Sequence, residues 1–121
     1  MPTATATPAP SATTPAPACA GSTESRSGSL TGRGDSAVEP GDVPYTTTAA
    51  GVHLACLTGP KGTDFDLYLL RWNGSAWVVV ARSIRDGSTE SVNYTGAAGS
   101  YYWLVGSYVG SGAYTLRTAR P

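Results

Sequence analysis

The segment Asp64–Trp72 constrains the fold more than any other part of this 121-residue chain. Its large apolar residues recur at every second position, which places them on one face of an extended strand. Asn73-Gly74 follows, and a β-branched run extends from Ala76 to Arg82. Asn-Gly between two strand patterns indicates a hairpin with a type I′ turn, because that turn needs positive φ at both central residues. The inward-facing set is predicted to be Phe65, Leu67 and Leu69.

The rest of the chain after residue 18 carries the same kind of pattern, with strands spaced by about 8–12 residues. No 11-residue window has a 3.6-residue apolar repeat free of glycine, so we predict no helix. The expected fold is therefore all-β, an antiparallel β-sandwich or jelly roll of about seven to eight strands. The further strands are predicted at Val52–Thr58, Glu90–Thr95, Ser100–Val109 and Ala113–Thr118, with weaker candidates at Gly28–Thr31 and Pro44–Thr48.

Residues 1–18 differ from the rest in composition, since they hold five of the nine prolines and no charged or aromatic residue. Such a segment cannot bury enough apolar area to offset the entropy of ordering, so we predict a disordered Pro/Thr/Ala-rich linker. The folded domain is expected to span residues 19–121. Spacers of this kind are typical of secreted modular enzymes, and we expect this chain to be one module of a longer protein. The first residues lack the pattern of a signal peptide, so we expect none in this sequence.

Composition excludes several functions. Charged residues make up 13% of the chain, about half of the usual ~25%, and the net charge is zero. We therefore expect no nucleic-acid partner, which would need a basic stripe. We also expect no membrane span, since no run of about 20 apolar residues occurs. One lysine and one histidine leave little material for catalysis, so we expect no enzymatic activity.

Cys19 and Cys56 are the only two cysteines. Structural zinc sites need about four nitrogen or sulfur ligands, which this chain does not offer. A disulfide between the two is the favoured interpretation, and it implies an oxidising compartment. The alternative is a pair of free thiols in a cytosolic protein, which fits poorly with the linker.

Three blocks of sequence carry a family resemblance: Cys56-Leu57-Thr58-Gly59-Pro60, Asp64-Phe65-Asp66-Leu67-Tyr68-Leu69 and Trp72-Asn73-Gly74-Ser75. Together they resemble the bacterial pre-peptidase C-terminal domain, in the version found on secreted actinobacterial peptidases. The resemblance covers about residues 19–118. It implies a non-catalytic β-sandwich of about eight strands, attached C-terminally to a secreted serine or metallopeptidase. Similar domains of collagenases bind substrate and carry calcium.

Asp64 and Asp66 lie two residues apart on one predicted strand, so their carboxylates point to the same side. Such a pair is a candidate Ca²⁺ site if loops supply further oxygens, and the resemblance to collagenase domains adds to this hypothesis. The competing interpretation is that the pair accepts hydrogen bonds from loop amides and orients a turn. The loop acids considered as further ligands are Asp35, Glu39 and Asp42.

Four aromatic residues are predicted to face outward and are candidate ligand-binding residues: Tyr68, Trp72, Tyr102 and Tyr108. A row of aromatics on a β-face can stack on sugars or hold an extended peptide. The alternative is that these side chains pair across strands and stabilise the sheet.

Two further features are predicted to have no function. His53 is expected to face solvent, with Val52, Leu54 and Cys56 turned toward the core. Arg33-Gly34-Asp35 spells an integrin-recognition motif, but glycine and aspartate are ordinary turn residues and we interpret it as a turn.

The function predicted from the sequence is that of a non-catalytic accessory domain of a secreted peptidase. It would aid substrate targeting, secretion or stability of the catalytic domain in the same chain. The alternative is a carbohydrate-binding module that uses the exposed aromatics. We expect a secreted, extracellular monomer that binds a protein or polysaccharide polymer, with no required cofactor beyond the possible Ca²⁺.

Overall fold

A computed structural model describes residues 19–121 as two antiparallel sheets packed face to face. The predicted linker, residues 1–18, lies outside the described residues. Residues 23–121 contain no helix, and no helix in the described part of the chain is long and apolar enough to cross a membrane. The strands are β1 (Glu24–Leu30), β2 (Ser36–Glu39), β3 (Tyr45–Thr47), β4 (Gly51–Thr58), β5 (Asp64–Trp72), β6 (Trp77–Ser83), β7 (Thr89–Gly96), β8 (Gly99–Val109) and β9 (Gly112–Ala119).

The four-stranded sheet has the order β1-β9-β4-β7, and the five-stranded sheet has the order β2-β8-β5-β6 with β3 also paired to β8. The predicted sandwich is confirmed, with nine strands rather than seven or eight. The strand missed from the sequence is β2, a four-residue segment whose Ser-Ala-Val-Glu sequence has no alternation of its own. It is extended because β8 pairs with it along its whole length, from Ser36 opposite Gly106 to Glu39 opposite Trp103.

The predicted hairpin between β5 and β6 forms, but its turn is not type I′. The loop spans four residues, 73–76, and only Gly74 has positive φ (103°) within it. Asn73 acts instead through its side chain, whose Oδ1 accepts hydrogen bonds from Ser75 N at 2.8 Å and Ala76 N at 2.9 Å. The turn residue was identified correctly, but it stabilises the loop by capping two amides rather than by its own backbone conformation.

The core lies between the sheets and contains the predicted inward set of β5, each member fully buried. On β8, Trp103 and Val105 face the core, so the alternate residues Tyr102 and Tyr108 lie on the outer face, as predicted. The four-stranded sheet contributes apolar residues from all of its strands. The core cluster is Leu30, Tyr45, Ala55, Leu57, Phe65, Leu67, Leu69, Val92, Tyr101, Trp103, Val105, Tyr114 and Leu116.

The prediction that His53 faces solvent is wrong, because its side chain is completely buried. Strand β4 turns His53, Ala55 and Leu57 toward the other sheet and turns Val52, Leu54 and Cys56 outward. Leu54 and Cys56 are nonetheless only 8% and 7% exposed, and Cys56 is bonded to Cys19. Both faces of this central strand are therefore covered, and alternation alone does not tell which face is the inner one.

Candidate functional site

Three carboxylates from both sheets converge beside the β6–β7 connection. Asp64 and Asp66 come from β5 in the five-stranded sheet, and Glu90 comes from β7 in the four-stranded sheet. One oxygen of each lies within 4.8 Å of the others. The predicted aspartate pair thus forms, and its third partner is a residue that was placed on a strand but not in the site. No local sequence signal identifies Glu90, since its proximity depends on how the sheets pack.

Glu90 is almost fully buried, with 2% of its surface exposed. Its Oε1 accepts hydrogen bonds from Ser83 Oγ and from the Arg85 backbone amide at 3.2 Å. Its Oε2 is buried and receives no hydrogen bond from any described residue. The same holds for Asp64 Oδ1 and Asp66 Oδ1. Each acid therefore has one buried oxygen without a partner among the described residues, which costs free energy unless a hydrogen-bond donor or a cation satisfies it.

The electrostatics of the cluster reflect this crowding. Burial, followed by the neighbouring charge of Asp64, raises the pKa of Asp66 to about 7. Burial raises the pKa of Glu90 to about 7, although the hydrogen bonds from Ser83 and Arg85 oppose the shift. Burial and the charge of Asp86 also raise the pKa of Asp64. Like charges held together in a low-dielectric place favour the protonated form, so this cluster holds protons near neutral pH in the absence of a cation.

The loop acids considered as further calcium ligands lie elsewhere in the structure. Asp35 accepts hydrogen bonds from Thr31 N at 2.7 Å and Ser36 N at 2.9 Å, and the bonds from Thr31 lower its pKa. This capped turn contains the Arg33-Gly34-Asp35 motif, in agreement with its interpretation as a turn. Glu39 is buried and accepts hydrogen bonds from Tyr114 OH and from Gly41 N at 2.9 Å. Asp42 is exposed.

Two of the four predicted aromatics belong to one cluster on the outer face of the five-stranded sheet. Trp72 and Trp77 are cross-strand partners, with ring centroids 5.4 Å apart and an interplanar angle of 59°. Trp77 meets Tyr102 edge-on at 4.8 Å and 63°. We call Trp72, Trp77 and Tyr102 the aromatic cluster. Trp77 was absent from the predicted site residues, although the hairpin register places it opposite Trp72.

The other two predicted aromatics lie outside this cluster. Tyr68 is half-buried, opposite Leu104 and Arg82 on the same face, and burial, followed by the charge of Asp66, raises its pKa. Tyr108 is 56% exposed and lies under the Arg33 guanidinium at 5.1 Å. It is six residues from Tyr102 along β8, or about 20 Å.

His53 sits inside a group of tyrosines. Its Nδ1 is 2.6 Å from Tyr45 OH, and its ring centroid is 4.0 Å from that of Tyr101. Burial lowers the pKa of His53 to about 4, so the ring is neutral at physiological pH. Its contacts are those of a core residue and not of a catalytic base.

Comparison with known proteins finds one matching family and two solved structures with a similar fold. The sequence profile of the bacterial pre-peptidase C-terminal domain matches residues 43–107. The solved pre-peptidase C-terminal domain of collagenase from Bacillus anthracis is similar with a TM-score of 0.65 and 21% identity, over 79% of this chain and 88% of that one. The mitogen of Yersinia pseudotuberculosis is similar with a TM-score of 0.64 and 19% identity, over 81% of this chain and 85% of that one. At these identities the solved structures share the fold.

Proposed function

This chain belongs to the bacterial pre-peptidase C-terminal domain family, and we propose that it holds a secreted peptidase on a polymeric protein substrate. It is a non-catalytic accessory domain, as expected for a member of this family. The catalytic domain is its partner in the same parent chain, a secreted serine or metallopeptidase of the actinobacterial kind that the sequence resembles. Pro/Thr-rich residues 1–18 are the tether, and the domain acts as a monomer.

The observation that carries this proposal is the aromatic cluster. Trp72 is 40% exposed, and Val79, which lies opposite Leu70 on the same face, is 49% exposed. Contiguous exposed apolar surface is a mark of interaction sites on soluble proteins. Tryptophan and tyrosine are also the residues that most often dominate binding energy.

The relative orientation of the rings favours a polypeptide over a polysaccharide. A sugar ring stacks flat on an aromatic face, and a linear polysaccharide is best held by several rings presented in the same way. The rings of this cluster are tilted by 59° and 63° to their neighbours, an edge-to-face arrangement that also stabilises the sheet. The uneven apolar surface that results suits the side chains of an extended polypeptide. Carbohydrate binding through the same aromatics is the alternative function.

The disulfide supports the extracellular assignment. Cys19 and Cys56 are bonded, with their Cα atoms 5.7 Å apart. Disulfides persist in oxidising compartments and are rare in the cytosol. The low content of charged residues suits an extracellular domain that must avoid non-specific electrostatic binding.

Retention of the purified chain on insoluble collagen, keratin, chitin and cellulose tests this function. We expect retention on at least one protein polymer and none on either polysaccharide. Trp72→Ala and Trp77→Ala are expected to weaken binding by roughly tenfold or more, as for central interface aromatics. Tyr108→Ala is the matched control, because it removes an exposed aromatic about 20 Å from Tyr102 on β8.

Circular dichroism and the thermal midpoint of each variant establish that loss of binding is not loss of folding. Retention on chitin or cellulose alone would support the carbohydrate-binding alternative. No retention on any polymer would rule out substrate targeting by this surface. Peptidase activity that co-purifies with the chain through several columns would contradict the non-catalytic assignment.

A further inference from the structure

We propose that Asp64, Asp66 and Glu90 form a Ca²⁺ site that links the two sheets of the sandwich at the β6–β7 connection. Two ligands come from β5 and the third from β7, which belong to different sheets. The site is separate from the aromatic cluster and from the proposed binding of polymer. It also differs from the site expected from the sequence, because Glu90 and not the 35–42 loop completes it.

The distances match the ion. Ca²⁺ binds oxygen at 2.3–2.6 Å, so two of its ligands can be at most about 5.2 Å apart. The three carboxylate oxygens lie within 4.8 Å of one another. Mg²⁺ binds at 2.0–2.1 Å, which limits its ligands to about 4.2 Å apart, and it demands near-octahedral geometry. Ca²⁺ therefore fits this spacing with less movement of the strands.

The buried state of Glu90 is the second observation that points to a ligand. Ser83 Oγ and the Arg85 amide fix Oε1, and Oε2 is buried without a donor among the described residues. A glutamate that is 2% exposed and only half satisfied is costly as a purely structural group. A cation bound by one oxygen of each carboxylate would neutralise negative charge that these three acids bring together.

The test is calorimetric titration of the chain with CaCl₂ and with MgCl₂ near pH 8, combined with thermal unfolding. We expect saturable binding of one Ca²⁺, a rise in Tm with Ca²⁺ concentration and little response to Mg²⁺. Asp66→Asn and Glu90→Gln are expected to weaken Ca²⁺ binding by roughly tenfold or more, since affinity follows the charge of the ligand set.

Asp42→Asn is the matched control, because it removes one exposed carboxylate outside the cluster, and it should bind Ca²⁺ as the unaltered chain does. Asp66→Asn keeps the size of the side chain and removes its charge, so it should fold without Ca²⁺, and circular dichroism checks this. The absence of heat and of any Tm shift at about 10 mM Ca²⁺, above the range used by extracellular calcium modules, would overturn the proposal. So would a Ca²⁺-dependent Tm shift that survives both Asp66→Asn and Glu90→Gln. Neither readout involves a polymer, so the outcome is independent of the proposed targeting function.

Discussion

His53 is an ionisable residue buried away from water, and its burial makes the stability of the domain depend on pH. Its ring is fully buried among Tyr45, Tyr94 and Tyr101, and its Nε2 has no hydrogen-bond partner among the described residues. Burial lowers the pKa of His53 to about 4, whereas the ordinary value is 6.5. Between these pH values the unfolded chain binds a proton that the folded chain does not bind. The contribution of His53 to stability is therefore complete above about pH 6.5 and falls as the pH falls toward 4.

His53→Phe is expected to remove this pH dependence while keeping an aromatic ring in the core. Urea unfolding near pH 7 and near pH 4.5 measures it, and the change in stability on acidification should be less favourable in the unaltered chain than in the variant by at most about 3 kcal/mol. The raised pKa values of Asp66 and Glu90 act in the opposite direction over pH 4 to 7. They are common to both proteins and cancel in the comparison. An equal pH dependence in the two proteins would contradict this account of His53.

At the scale of strands, the sheets are joined by polar contacts as well as by the core. Tyr114 on β9 donates a hydrogen bond from its OH to Glu39 Oε2 on β2, in the opposite sheet. Gly28 on β1 makes room for this side chain, since a Cβ there would lie 2.5 Å from Tyr114 OH. Gly28 weakens the strand signal of the Gly28-Ser-Leu sequence, but its missing side chain is what makes room for Tyr114 on β9.

Tyr114→Phe is expected to destabilise the domain by about 1–3 kcal/mol, because it leaves a buried carboxylate oxygen of Glu39 without its donor. Urea midpoints at constant m-value measure the change. Tyr108→Phe is the control, since it removes the same hydroxyl from a residue that is 56% exposed. Equal midpoints for Tyr114→Phe and Tyr108→Phe would mean that the bond to Glu39 contributes nothing.

The elements that the sequence predicted well are those with a complete local signal. Alternation identified both the extent and the inner face of β5, and it gave the inner face of β8. It failed for β2, which is extended by its pairing with β8, and for His53, because both faces of β4 are covered. The candidate sites follow the same rule. Asp64 and Asp66 are close in sequence and were found together, whereas Glu90 joins them through sheet packing that no local pattern encodes. Trp77 was missed although the register of the predicted hairpin places it opposite Trp72.

At the scale of the whole molecule, the disulfide joins the first described residue to a central strand of the sandwich. The first described strand, β1, is an edge strand that pairs only with β9. Cys19 precedes it and is bonded to Cys56 on β4, which lies between β9 and β7. A force applied to the chain before Cys19 would then act on this central strand and not peel the edge strand away.

Reduction of the Cys19–Cys56 bond is expected to destabilise the domain by about 3–4 kcal/mol, because the bond joins residues 37 positions apart and restricts the unfolded chain accordingly. Urea unfolding with and without reductant measures the loss. Hydrogen exchange should then show β1 amides opening more readily than those of β4, since β1 keeps only its pairing with β9. The double variant Cys19→Ser/Cys56→Ser is the control and should not respond to reductant. If the oxidised and reduced proteins unfold at the same urea concentration, the bond does not stabilise the fold. If the exchange of β1 is unchanged by reduction, the disulfide does not protect this edge of the sandwich.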